Sequence, residues 1–164
     1  SFDIRERISF YEKLCRSHGA LLFEDYEEVR GWMDWLMDTL DSMEHPKCLC
    51  HIDANVDNFL FFEDGSVKLL DWEYAGMCDP VMDVSMCAIY SYYKEEDMER
   101  LFRLYLRREP SEDELFALYA NAALGGFLWC LWAVYKSILG DEFGEYTIIM
   151  YRYAKKYYRK LRKL

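Results

Sequence analysis

Three short extended pieces, Lys47–His51, Asn58–Phe62 and Ser66–Asp71, interrupt a sequence whose apolar spacing is otherwise helical. That interruption limits the fold more than any other feature. The second and third pieces are joined by Glu63-Asp64-Gly65, where glycine supplies the positive φ of a tight turn, so they read as one β-hairpin. Ahead of them Val29, Trp32, Met33, Leu36, Met37, Leu40 and Met43 step by three and four. This predicts a helix over Tyr26–Met43 with one buried stripe and with Asp34, Asp38 and Asp41 on its wet side. Pro46 ends it. From Pro80 onward the pattern is helical: 81–93, 95–107, then a segment opened by a capping box of Ser111 and Glu114. Gly125-Gly126 is expected to interrupt that segment before a further stretch to Leu139, and a last helix starts near Phe143. The expected fold class is α+β, predominantly helical, with a small embedded β-hairpin. Residues 1–164 are expected to form a single domain.

Composition removes several classes of function. A chain that is 52% hydrophobic can bury a core, which excludes global disorder. Lys plus Arg number 20 against 30 for Asp plus Glu, a net charge of −10, so no nucleic-acid partner is expected. The richest apolar run, Ala122 to Val134, is broken by two glycines and is shorter than a membrane span, so no transmembrane segment is expected. Charged residues Asp3, Arg5, Glu6 and Arg7 speak against a leader peptide, and the start at Ser1 suggests a piece of a longer protein. Cysteines 15, 48, 50, 78, 87 and 130 lack the paired spacing of a zinc site and read as reduced thiols, so a cytoplasmic location is expected. Cys48 and Cys50 fall on one face of a strand. The last helix carries Arg152, Lys155, Lys156, Arg159, Lys160 and Lys163 on one stripe with Arg162 beside it. These read as solvated cations suited to a helix C-terminus or as a surface for anions.

Chemistry concentrates in His51-Ile-Asp53-Ala-Asn55-Val-Asp57-Asn58 and in Leu69-Leu70-Asp71-Trp72-Glu73. His51, Asp53 and Asn58 have the +2 and +7 spacing of a protein-kinase catalytic loop, where a carboxylate orients the attacking hydroxyl and an amide oxygen holds magnesium. Asp71 follows the apolar strand residues Val67, Leu69 and Leu70, which would present its carboxylate at the strand end. Oxygen donors of this kind suit Mg²⁺. Because Asn58 to Asp71 reads as one hairpin, the loop and the second carboxylate are expected to return to the same place.

On these residues the chain resembles the choline/ethanolamine kinases and their aminoglycoside phosphotransferase relatives. HIDANVDN, DWEYAG and DPVMD carry the resemblance, which continues through Trp129-Cys-Leu-Trp132 and Phe143-Gly144 and covers roughly residues 45 to 155. It implies the C-terminal lobe of a protein-kinase-like fold. It also implies Asp53 as catalytic base, Asn58 and Asp71 as magnesium ligands, Glu73 near metal and substrate, His51 as a structural residue of the loop and Asp83 as its support. Asp79, beside Pro80, reads better as a helix-entry cap.

A quaternary ammonium donates no hydrogen bonds, so aromatic faces and carboxylates must recognise it. Trp129 and Trp132 share a helix face and are either such a pair or plain core; Tyr90, Tyr92 and Tyr93 are further candidates. The implied activity is ATP- and Mg²⁺-dependent phosphorylation of choline or a similar amino alcohol. The rival readings are an aminoglycoside or other small-alcohol phosphotransferase and a non-catalytic choline-binding module. The roughly 50 residues before His51 contain no Gly-rich turn and no Val-Ala-x-Lys strand. The nucleotide lobe is therefore expected to be absent from this chain, leaving an apolar face prone to self-association.

Overall fold

The computed structural model describes residues 2–20 and 23–163. In chain order the elements are α1 (Ile4–Ser17), α2 (Tyr26–Asp41), β1 (Cys48–Cys50), a 3-10 turn (Val56–Asn58), β2 (Phe59–Phe61), β3 (Val67–Leu69), β4 (Gly76–Cys78), α3 (Val81–Tyr90), α4 (Glu95–Leu106), α5 (Glu112–Ile138) and α6 (Tyr146–Leu161). They gather into two units. Phe2 with His45–Asn121 forms the first, and Asp3–Glu44 with Ala122–Leu164 the second.

In the first unit the expected hairpin is present. β2 and β3 pair antiparallel with Phe59 opposite Leu69 and Phe61 opposite Val67, and Gly65 turns the chain at φ +80°. Strand β1 is not a lone piece. It pairs antiparallel with β4, which no sequence pattern announces: Cys48 lies opposite Cys78 and Cys50 opposite Gly76. Three residues are too few to show alternation, and a glycine carries no strand preference. Gly76 is there because Phe2 presses against it. A Cβ at residue 76 would lie 2.6 Å from the Phe2 Cβ, and the Phe2 N–H donates to the Met77 carbonyl at 3.3 Å.

Helices α3 and α4 and the start of α5 give this unit its core, with Met86, Ile89, Met98, Phe102 and Leu118 buried. The Ser85 hydroxyl, also buried, reaches the Leu118 carbonyl at 2.9 Å. The capping box forms: the Glu114 N–H donates to the Ser111 hydroxyl at 3.2 Å, and the Ser111 N–H to the Glu114 carboxylate at 2.8 Å. Arg108 clasps the same carboxylate and, with the Ser111 N–H, holds its pKa at about 2.

In the second unit α2 buries Tyr26, Val29, Met33, Leu36 and Met37, as its periodicity requires. Arg5 of α1 meets the wet-side carboxylates of Asp38 and Asp41 at 2.8 and 2.9 Å. Helix α6 buries Met150, Tyr151, Ala154, Tyr157 and Leu161. Lys155 is not a solvated cation, since its ammonium pairs with Asp25, whose pKa falls in response.

One expectation fails outright. Gly125-Gly126 does not interrupt the helix, and α5 runs unbroken for 27 residues. Gly126 serves close approach instead of a break: a Cβ there would meet the Met150 carbonyl oxygen of α6 at 2.6 Å and the Tyr153 Cβ at 3.0 Å. The continuous helix is long and apolar enough to cross a membrane by length and composition, unlike the interrupted run read from sequence. Its most apolar window is 83% buried inside the protein, which is the pattern of a core helix.

Two glycines on helices of this unit should respond in opposite directions. Gly31 of α2 has nothing within 4 Å of an added Cβ, so Gly31→Ala should gain about 0.5–1 kcal/mol from helix propensity alone. Gly126→Ala should lose about 1–3 kcal/mol by overpacking. Urea denaturation of the two variants checks this, and a stabilised Gly126→Ala protein would contradict the close approach.

Candidate active site

Strand β1 delivers His51, Ile52 and Asp53 directly after Cys50. Ile52 adopts φ +72°, in the left-handed region that a β-branched residue rarely enters, and its side chain is fully buried. Asp83 holds this conformation. Its two carboxylate oxygens accept the N–H groups of His51 and Ile52 at 2.8 and 2.7 Å. Pro80 precedes α3, and Asp83 sits in the first turn of that helix.

The His51 ring ties the loop to the hairpin. Its Nε2 lies 2.6 Å from the Leu70 carbonyl, which only accepts, so Nε2 carries the proton. Trp72 packs edge-to-face on the same ring at 4.8 Å and donates its indole N–H to the Leu69 carbonyl at 2.9 Å.

Asp53 and Asn58 are joined across the 3-10 turn. The Asn58 amide nitrogen donates to the Asp53 carbonyl at 2.9 Å and to the Asp53 carboxylate at 3.2 Å. The Asn58 carbonyl accepts the Leu70 N–H at 2.8 Å, which extends the β2–β3 ladder by one pair. Asp71 is the next residue and turns outward at φ +59°. The hairpin thus brings the two ends of the motif together through one backbone hydrogen bond. Among the described residues the Asp71 carboxylate and the Asn58 Oδ1 make no hydrogen bond or ion pair. Hard, unengaged oxygens of an amide and a carboxylate fit Mg²⁺, which takes one or two carboxylates and fills its remaining positions from water or phosphate. No group of three His, Cys, Asp or Glu side chains forms a closed ion cage among the described residues, and a Mg²⁺ site of this open kind needs none.

Among the other expected site residues, Asp79, Trp129 and Trp132 make contacts with residues outside this knot. Glu73 is exposed two residues beyond Asp71. Asp79 caps α3 by accepting the Val81 N–H at 2.9 Å and lies 3.1 Å from the His45 ring, while burial raises its pKa. Tyr92 and Tyr93 are exposed and Tyr90 is half-buried. Trp129 and Trp132 belong to the second unit, where their rings meet edge-to-face at 5.7 Å. Trp129 is buried, whereas Trp132 is partly open, faces Phe143 at 5.1 Å and carries the Lys136 ammonium 5.9 Å above its ring. Sequence reading missed the Trp72 contact and the left-handed Ile52. A Trp beside the Asp-x-Glu motif was a usable signal, but nothing in the sequence marks a positive φ at isoleucine.

The chain matches the pattern of the Phosphotransferase enzyme family (APH) over residues 4–119. It belongs to that family. Within it, the chain is similar to choline kinase LicA from Streptococcus pneumoniae, with 28% identity, a TM-score of 0.84, and coverage of 98% of this chain and 56% of that one. It is 27% identical to protein LicA of Haemophilus influenzae over 105 residues, 60% of this chain and 39% of the relative. It is also 26% identical to mouse ethanolamine kinase 1 over 151 residues, 75% of this chain and 42% of the relative. The chain therefore spans about four tenths of the curated relatives' length. Its fold is that of the C-terminal lobe of these choline/ethanolamine kinase-like phosphotransferases, α+β and mostly helical.

Removing the Asp83 carboxylate should strand two backbone N–H groups. Asp83→Ala should lower stability by about 2–4 kcal/mol and speed hydrogen exchange at His51 and Ile52, with Asp83→Asn milder because one acceptor remains. Unchanged exchange at those two amides would contradict the brace.

Proposed function

We propose that this chain is the catalytic, substrate-binding lobe of a kinase that transfers the γ-phosphoryl group of ATP to the hydroxyl of choline or a similar amino alcohol. The observation that carries the reading is the Leu70-to-Asn58 hydrogen bond, which sets Asp71 beside the loop containing Asp53. Asp53 accepts the proton of the attacking hydroxyl. Asn58 fixes the Asp53 carboxylate through its amide N–H, which leaves its own Oδ1 without a hydrogen bond among the described residues. His51 is a positioning residue that anchors the loop to the hairpin through Leu70. Asn58 Oδ1 and the Asp71 carboxylate would hold Mg²⁺, which when bound neutralises phosphate charge during transfer. Positioning and fixed charge supply most of the catalysis.

Substrate choice rests on chemistry that suits a cation. Trp132 and Phe143 present aromatic faces, and an ammonium group already lies over the Trp132 ring. Trp129, being buried, supports Trp132. Glu73 adds a carboxylate on the metal or the ammonium side. The names of the relatives, choline kinase and ethanolamine kinase, support the same class.

The remaining part of the ATP site belongs to a nucleotide lobe outside these residues. Exposed Leu60, Phe61, Phe62, Val67, Leu70 and Trp72 of the hairpin region suit the face it packs on. Without that lobe the same face favours self-association, and the 164-residue chain alone transfers no phosphate.

In an enzyme that carries this chain with its nucleotide lobe, Asp53→Asn should cut kcat by orders of magnitude and leave the choline KM nearly unchanged. Trp132→Ala should raise the choline KM by about 2- to 30-fold and the ethanolamine KM by less. Normal turnover in the first variant would refute the catalytic assignment. An unchanged choline-to-ethanolamine ratio in the second, or preferred turnover of an aminoglycoside, would refute the amino-alcohol substrate.

A further inference from the structure

Half of the six cysteines lie on one face of the β1–β4 ribbon. Cys48 and Cys50 alternate on β1, and Cys78 on β4 is the direct partner of Cys48. The Met77 carbonyl turns away from β1 to accept the Phe2 N–H. The Cys48 and Cys78 backbones therefore face one another as a hydrogen-bonded pair, with Cα atoms about 5.5 Å apart, which a disulfide can span. The Cys50 sulfur lies 3.7 Å from that of Cys48 and 3.5 Å from the Cys78 carbonyl. Cys48 is exposed, Cys78 half-buried and Cys50 buried.

We propose that this cluster is a thiol–disulfide site in which Cys48 bonds to Cys78, forming a clasp across the loop that carries Asp53, Asn58 and Asp71. The inference is independent of the kinase reading. The oxidant is a peroxide. The exposed Cys48 thiolate attacks one peroxide oxygen, the O–O bond breaks, and a sulfenic acid and water result. The Cys78 sulfur then attacks the Cys48 sulfur, the S–S bond forms, the S–O bond breaks, and a second water leaves. Two thiols lose two protons and two electrons, and one hydrogen peroxide becomes two waters. Cys48 is the exposed thiol and meets the peroxide first, and the half-buried Cys78, whose thiol burial pushes up to about 11, closes the bond.

The two partners are 30 positions apart, and every residue of the Asp53–Asn58–Asp71 knot lies between them. A bond closing a loop of that size restricts the unfolded chain strongly, so the oxidised protein should melt about 5–15 °C higher than the reduced one. The test is treatment of the 164-residue chain with equimolar hydrogen peroxide, followed by mass spectrometry, peptide mapping and thermal melting. The expected result is a loss of two hydrogen masses, a Cys48–Cys78 crosslink and the higher melting temperature, all reversed by dithiothreitol. Cys48→Ser and Cys78→Ser should each abolish the rise, while Cys87→Ser, outside the ribbon, should leave it. A Cys48–Cys50 bond without a change in melting temperature, a crosslink between chains, or sulfinic acid in place of a disulfide would overturn the clasp.

Discussion

The Asp83 carboxylate accepts the N–H groups of His51 and Ile52 at 2.8 and 2.7 Å, and so holds Ile52 at φ +72°. Left to itself that conformation costs about 1–3 kcal/mol. Two hydrogen bonds to a charged acceptor contribute about 1.5–3 kcal/mol each, so the brace outweighs the strain. The left-handed residue is what turns the chain out of β1, sending the His51 ring to the Leu70 carbonyl while Asp53 starts the turn toward Asn58. Without the brace neither tie has a fixed starting point, and the unengaged oxygens of Asn58 and Asp71 lose their common frame.

The hairpin is the complementary constraint. Its register places Asn58 opposite Leu70, so a carboxylate 13 positions further along the chain sits next to the loop through backbone pairing, which the His51 ring reinforces at the Leu70 carbonyl. Local pairing of this kind is robust, because a register slip would turn Phe59 and Leu69 to the opposite face. It also leaves Asp71 exposed and, among the described residues, without a hydrogen bond or ion pair, as a ligand for a divalent ion would need to be.

Much of this was legible beforehand, for reasons particular to each element. Helix α2 announced itself through a three-and-four stripe, the β2–β3 hairpin through its Glu-Asp-Gly turn, and the start of α5 through a capping box whose two hydrogen bonds are present. The spacing of His51, Asp53 and Asn58 was visible because it is a local property of one loop. What stayed hidden depends on tertiary neighbours. Gly126 reads as a break until Met150 is seen against it, and β4 reads as coil until β1 and Phe2 flank it. The strained Ile52 is invisible for the same reason, since only Asp83, far along the chain, makes it affordable. The Trp129–Trp132 pair was legible as a pair, but its division into one buried and one open ring follows from packing alone.

Manganese, a paramagnetic substitute for magnesium, tests most directly whether the braced loop and the hairpin form one ion-binding site. Substoichiometric Mn²⁺ added to the isotope-labelled chain should broaden the amide signals of residues 53–58 and 70–72 before any others, and Asp83→Ala should weaken that effect. Broadening centred on another acidic stretch, such as Glu95–Asp97 in the first turn of α4, or none at all, would contradict it.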